Sequence, residues 1–138
     1  MVRPASRVLP LLAALALAAA CATSPLQLDA RYLFPGLEEV DSIAGYSVMG
    51  WEPVDSQSLI VQTGPSNYYL LVLSHRMADL NFAESIALSS TGNRIEAKFD
   101  CVRVVDRTCT PQIPAPIHTI YRLEGRSGVQ QAKDQIRR

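Results

Sequence analysis

Residues 58–74, SLIVQTGPSNYYLLVLS, decide the fold, because they hold two apolar runs on either side of a compact turn. Short runs of this composition are typical of strands, and the GPSN sequence at 64–67 is typical of a turn, so the stretch predicts an antiparallel hairpin. Along the second run, side chains alternate between two apolar sets, namely Tyr69, Leu71 and Leu73 on one face and Tyr68, Leu70 and Val72 on the other. We therefore expect this strand at the centre of a sheet that is covered on both sides.

The segments around this hairpin also favour strands. Further strands are predicted at 46–51, 85–90, 94–105 and 117–123, and residues 90–93, STGN, predict a turn. In the 94–105 segment the predicted inner face carries Ile95, Ala97, Phe99 and Cys101. Residues 76–83 place Met77 and Leu80 at helical spacing, which predicts a short helix at one end of the sheet. The sequence thus predicts a mainly β fold with a short helix: a small antiparallel sheet arranged as a sandwich or a partly open barrel.

The N-terminal segment has the parts of a secretory signal. Arg3 and Arg7 supply positive charge before an apolar run at 8–20, and the run ends in small residues. At about thirteen residues it is shorter than the ~20 that a membrane-spanning helix requires. We therefore expect residues 1–20 to be an export signal that is removed.

Cys21 directly follows these small residues, as the lipidation site of a bacterial lipoprotein precursor does. Its thiol would receive diacylglycerol, and the amine freed by cleavage would receive an acyl group such as palmitate. The alternative is plain cleavage after an A-x-A site, without lipidation. Ala22 follows where an Asp is associated with retention in the inner membrane, so the expected location is the outer membrane, facing the periplasm.

The rest of the chain is expected to form one domain. Residues 21–42 are interpreted as a lipidated tether, 43–124 as the β-rich globular domain and 125–138 as a polar tail with a helical alternative at 129–136. Within the tether, residues 32–34 are expected to pack on the domain. Removing Arg3 and Arg7 lowers the 13 basic residues to 11 against 13 acidic ones. This balance argues against nucleic acid as a partner, because nucleic-acid binding needs clustered positive charge.

A set of spaced motifs runs from W-x-x-V-D at Trp51 through YYLLVL at Tyr68 to F-D-x-V at Phe99. This set resembles a family of uncharacterised bacterial envelope proteins, many of them lipoproteins. The resemblance covers roughly residues 43–113. It implies an envelope location and a small β-rich fold, but no biochemical activity. In the usual pattern of this family a cysteine lies two residues before an Asp-Leu pair, where this chain has Met77. The motifs that carry the resemblance are W-x-x-V-D from Trp51, SLIVQT from Ser58, YYLLVL from Tyr68, Asp79-Leu80, Ile95, F-D-x-V from Phe99, and Cys109.

The cysteines predict one disulfide. If Cys21 is lipidated, Cys101 and Cys109 remain as an even pair in an oxidising compartment. A hairpin centred on Val105 would place them opposite each other, within disulfide reach. Such a bond would take the place of one that the resemblance implies between the Met77 position and Cys109. The alternative is two free thiols.

No catalytic or metal-binding constellation is recognisable. His75 and His118, the two histidines, belong to no metal-ligand spacing, and the chain has no nucleophile elbow or phosphate-binding loop. Glu38-Glu39 is an adjacent pair of carboxylates, better explained as a solvated surface. We expect no metal, no cofactor and no enzymatic activity.

Trp51, Tyr68 and Tyr69 are the candidate binding residues, because aromatic side chains with a polar tip are enriched at interfaces. For Trp51 a place in the core is the stronger expectation. Asp79 is expected to cap or begin a short helix, and Asp100 to pair with Arg103 or Arg76 in a structural role. The favoured function is a non-enzymatic envelope lipoprotein that binds a protein partner or a small ligand. The alternative is a small periplasmic hydrolase whose site is assembled from distant residues.

Overall fold

The computed structural model describes residues 27–44, 48–108 and 112–138. The predicted signal, Cys21 and Cys109 lie outside these ranges. Within these ranges, 3-10 helices lie at Ala30–Tyr32 and Ala78–Phe82, and an α-helix, α1, lies at Gly125–Ile136. The strands are β1 (Glu38–Val40), β2 (Ser42–Ala44), β3 (Gly50–Asp55), β4 (Ser58–Gln62), β5 (Asn67–Leu73), β6 (Ser85–Leu88), β7 (Arg94–Glu96), β8 (Cys101–Val105) and β9 (Ala115–Glu124).

The predicted hairpin is present as β4 and β5. Their antiparallel register pairs Ser58 with Val72 and Gln62 with Tyr68. At the turn, the Thr63 N–H donates to the Asn67 carbonyl at 3.0 Å. The four residues at 70–73 are each 0% exposed, which confirms that β5 is covered on both faces.

The strands form a seven-stranded antiparallel sheet and a smaller two-stranded one. The large sheet runs in the order β3-β4-β5-β9-β8-β6, and β1 also pairs with β9. The long strand β9 therefore has β5 along one edge and, along the other, β8 near its start and β1 near its end. The small sheet pairs β2 with β7. The predicted mainly β class is confirmed, and the sheet does not close into a barrel.

The two faces of the large sheet bury separate cores. One face packs against α1 and the N-terminal segment through Tyr32, Phe34, Leu70, Tyr121, Val129 and Ile136, among others. The opposite face packs against the small sheet and the second 3-10 helix through Ile43, Leu59, Leu71, Leu80, Ile95 and Ile117, among others. This double cover explains why β4 and β5 are apolar on both faces.

The predicted strand at 94–105 is wrong as one continuous element. It divides into β7 and β8, and between them Lys98 adopts a φ of +72°, which no regular strand permits. As a result Phe99, predicted to face inward, is 80% exposed. Backbone hydrogen bonds outside the regular strand pairing hold the chain here. The Lys98 N–H donates to the Ile117 carbonyl at 2.6 Å, and the Asp100 N–H donates to the Glu96 carbonyl at 2.9 Å.

The domain extends further toward both termini than predicted. Within the predicted tether, β1 pairs with β9, and Tyr32 and Phe34 are buried as expected, although Leu33 is half exposed. Within the predicted polar tail, the helical alternative is confirmed, because α1 packs on the sheet. In the described part of the chain no helix is both long and apolar enough to cross a membrane.

Candidate functional site

The large sheet has two ends that differ in character. At one end, here named the tip end, β3 turns into β4 at Asp55–Ser58, β5 finishes at Leu73 and β9 begins at Ala115. At the far end lies the β4–β5 turn at 63–66. Connections at the tip end are held together by backbone bonds: the Leu73 N–H donates to the Gln57 carbonyl at 2.8 Å, and the Met77 N–H to the Ser56 carbonyl at 2.7 Å.

The N-terminal segment is fastened at the tip end. The Tyr32 hydroxyl donates to Asp55 Oδ2 at 2.6 Å, while Asp55 Oδ1 accepts from the Ser58 hydroxyl at 2.7 Å. From α1, Gln135 Nε2 donates to the carbonyl oxygens of Arg31 and Leu33 at 3.1 and 3.0 Å. Burial, followed by the hydrogen bond to Asp55, raises the pKa of Tyr32 far above its usual value of 10.0.

Three large apolar side chains are exposed at the tip end, and we name them the tip surface. Phe82 is 85% exposed, Ile113 78% and Val105 50%. Phe82 and Val105 line a shallow depression of about 310 Å³, and Ile113 lines a neighbouring one of about 390 Å³. Asp79 and Gln112 lie in both depressions, so the three side chains surround one continuous area.

Charges of both signs surround the tip surface. Arg107 Nη2 lies 3.5 Å from Glu84 Oε2 in a highly exposed pair. Hydrogen bonds from Thr108 lower the pKa of the exposed Asp106. Arg76 and His75 line the depression that contains Ile113. Each of the described charged groups around this surface is exposed.

Among the described residues, Asp100 is the buried carboxylate, at 3% exposure, and its role is structural. Its Oδ1 accepts from the Ser89 hydroxyl at 2.7 Å, and its Oδ2 from the Glu96 N–H at 2.7 Å. The predicted pairing with Arg103 or Arg76 is wrong, because hydroxyl and backbone donors occupy the carboxylate. Burial alone would raise the pKa of Asp100, but the bonds from Ser89, Glu96 and Thr91 outweigh it and hold that pKa below its usual value.

The structure separates the three candidate aromatic residues. Trp51 and Tyr69 lie on one face of the sheet, because both are register partners of Val61, and each is half-buried against the core. Tyr68 lies on the opposite face, with the α1 core. Beyond Tyr69, the guanidinium of Arg122 lies 6.0 Å from the ring centre. The same guanidinium lies 3.2 Å from Glu38 Oε2. Neighbouring side chains of β1, β9, β5, β4 and β3 therefore form one row across this face of the sheet.

The cysteine prediction rests on a hairpin that the structure does not form. Cys101 is opposite Pro116 of β9 rather than in a hairpin centred on Val105, and it forms no disulfide within the described residues. Cys109 lies outside the described residues. The Cys101–Cys109 bond stays a prediction, which alkylation with and without reductant tests.

The remaining predicted positions fit structural roles. Asp79 lies in the first turn of the second 3-10 helix, as expected, but it does not cap that helix, whose N-cap residue is Met77. His118 Nδ1 lies 2.7 Å from the Thr119 hydroxyl, and His75 is exposed at the tip end. Within the described ranges no group of three metal-ligating side chains comes together.

Sequence reasoning missed the tip surface. Its signal was an isolated large apolar residue among polar or proline neighbours: Phe82 in DLNFAES and Ile113 in PQIPAP. Neither residue lies at a regular spacing from the neighbouring apolar residues, so the sequence pattern does not predict a place in the core for either. Only the fold brings them to one end of the sheet.

Comparison with known proteins gives a family and no further relative. The model of the family of unknown function DUF6491 matches residues 4–138, all but the first three residues of the chain. No curated protein matches the chain, and no solved structure does.

Proposed function

The chain belongs to DUF6491, a family of unknown function, and we propose that it is a lipoprotein anchored through Cys21 in the outer membrane, facing the periplasm. Its β-rich domain acts as a non-enzymatic binding or assembly module of the cell envelope. The anchor is the membrane attachment, and the tip surface is the contact site.

The N-terminal sequence supports the anchor. Arg3 and Arg7, the apolar run at 8–20 and the small residues before Cys21 are the features of a lipoprotein signal. The family match begins at residue 4, so this segment belongs to the matched part of the chain. Several acyl chains, at ~0.8 kcal/mol per buried methylene, make such an attachment stable.

The tip surface is the observation that carries the proposed binding role. Large exposed apolar side chains gathered in one area mark interaction sites, whereas scattered ones do not. Phe82 and Ile113 are each more than three-quarters exposed, and Val105 lies beside Phe82. Tyr32, whose pKa is strongly raised, and Asp100, whose pKa is lowered, are both held by structural hydrogen bonds, so we assign them no reacting role.

Membrane fractionation tests the anchor. In cells that express the full chain, we expect the protein in the membrane fraction, released by detergent but retained in high salt. Cys21→Ala removes the acylated thiol and should move the protein into the soluble periplasmic fraction. Cys101→Ala is the matched control, because it also removes a thiol and should leave the protein in the membrane. Equal distribution of both variants would rule out an anchor at Cys21.

Photo-crosslinking tests the contact site. A crosslinking amino acid at position 82 should form adducts with a neighbouring molecule in intact cells, while the same group at Ser66, in the exposed far-end turn, should form few. Equal yields at the two positions would contradict a binding role for the tip surface.

A further inference from the structure

We infer that the tip surface lies on the phospholipid bilayer in which Cys21 is anchored, so that the bilayer itself is its partner. This inference rests on the proposed lipid anchor. It identifies what the exposed Phe82, Val105 and Ile113 contact.

The N-terminal segment joins the domain at the tip end. Leu28 packs against the α1 core, and Tyr32 is bonded to Asp55. Met77, which lines the depression that contains Ile113, donates its N–H to the carbonyl of Ser56, the neighbour of Asp55. The described residues closest to Cys21 in the sequence are therefore held at the same end of the domain as the tip surface.

The tether between Cys21 and the domain is short. Leu28 lies seven positions after Cys21 in the sequence, and even a fully extended chain of that length spans only ~25 Å. Strand β9, with ten residues, extends for about 33 Å along the sheet. Because the tether is shorter than the sheet, the tip end stays closer to the bilayer than the far end does.

A surface that is already tethered to the bilayer needs little affinity of its own for the lipids. Tethering turns a second contact into an intramolecular event at an effective concentration on the order of millimolar. Exposed Phe and Ile side chains insert readily at the boundary between headgroups and acyl chains. Contacts too weak to hold a free domain on a bilayer therefore suffice here.

The charges around the tip surface favour an apolar contact over an electrostatic one. Arg76 and Arg107 are matched by nearby carboxylates, including Asp79 and Glu84. Because these positive and negative charges balance, they neither attract anionic headgroups strongly nor repel them strongly. The contact should accordingly be insensitive to salt.

The test places a fluorescent probe at each end of the sheet. The full lipidated chain is reconstituted into phosphatidylethanolamine–phosphatidylglycerol vesicles that contain a lipid with a nitroxide on its headgroup. Phe82→Trp and Ile113→Trp report on the tip surface, and Ser66→Trp reports on the far end. All three residues are exposed, so the substitutions should preserve the fold, which circular dichroism checks. The emission of Trp51, present in each protein, is subtracted.

We expect the nitroxide to remove roughly half or more of the added emission at positions 82 and 113, and little at 66, at both low and high salt. Equal quenching at the three positions, in protein that still carries acyl groups on Cys21, would overturn this inference and leave the anchor standing. If the probes at positions 82 and 113 become shielded only when a periplasmic protein is added, this inference is also overturned. Absence of acyl groups would overturn the proposed anchor, and the inference with it.

Discussion

The Tyr32 hydroxyl donates a hydrogen bond of 2.6 Å to Asp55 Oδ2 and so joins the N-terminal segment to the turn between β3 and β4. Tyr32 is 0% exposed, and Asp55 is at the same time bonded to the Gln57 N–H and the Ser58 hydroxyl. The one contact therefore fixes both the path of the incoming chain and the conformation of the tip end. Together with the two hydrogen bonds from Gln135, it holds the described start of the N-terminal segment at the tip end.

Tyr32→Phe should lower the free energy of unfolding by about 2 kcal/mol, because it removes a buried hydrogen bond to a charged acceptor while keeping the ring. Urea denaturation at neutral pH measures the loss. Tyr68→Phe is the matched control, because its half-buried hydroxyl makes no hydrogen bond within the described residues, and its effect should be below ~0.5 kcal/mol. Equal effects of the two changes would show that the Tyr32–Asp55 bond contributes nothing specific.

Alkaline pH should reduce the contribution of Tyr32 to the free energy of unfolding. Its pKa in the folded protein is raised above the ordinary value of 10.0, so its stabilisation is complete below about pH 10 and is lost as the pH rises toward the folded pKa. The stability difference between the natural chain and Tyr32→Phe should therefore shrink above pH 10. Tyr121, whose pKa burial also raises, is present in both proteins and cancels in the comparison. A difference that is constant across this range would contradict the assignment.

Asp100→Asn should lower the free energy of unfolding by about 3 kcal/mol, because an amide cannot replace a carboxylate that accepts from several buried donors. The pKa of Asp100 is lowered in the folded protein, so its stabilisation is present above the unfolded pKa and is lost as the pH falls through the folded value. The natural chain should thus lose more stability than Asp100→Asn below about pH 3.8. Urea denaturation across the acid range checks both expectations, with the exposed Asp134→Asn as control.

Lys98 offers a test of the break between β7 and β8. Its positive φ is costly for a residue with a side chain, so Lys98→Gly should raise the free energy of unfolding by ~0.5–1 kcal/mol. Lys98→Val should lower it by more than ~1 kcal/mol, because a β-branched residue tolerates this conformation poorly. Thermal denaturation of the two variants side by side measures the contrast. A stabilising valine would mean that residues 94–105 form a continuous strand after all.

The hairpin was predictable because its information is local. Apolar alternation in YYLLVL and the GPSN turn specify two paired strands without reference to the rest of the chain. Other strands, such as β6 and β9, were predicted for the same reason. The helical alternative at the C-terminus was also readable, because Val129, Ala132 and Ile136 share one helical face.

The missed features depend on contacts between distant segments. The break at Lys98 follows from the hydrogen bonds that Asp100 receives from Ser89 and from the Glu96 backbone. The alternation of apolar and polar residues in 94–105 does not predict this break. β1 forms against β9, more than 75 residues later in the chain. The tip surface likewise unites Phe82, Val105 and Ile113 through the fold alone. Periodicity cannot specify such juxtapositions, because each arises from tertiary packing.

The mass of the N-terminal peptide, taken from protein purified out of native membranes, decides whether the chain is anchored through Cys21. We expect a peptide that begins at Cys21 and carries a diacylglyceryl group on the thiol and an acyl group on the amine. A peptide that begins after the signal with an unmodified Cys21 would contradict the anchor, and with it the placement of the tip surface on the bilayer.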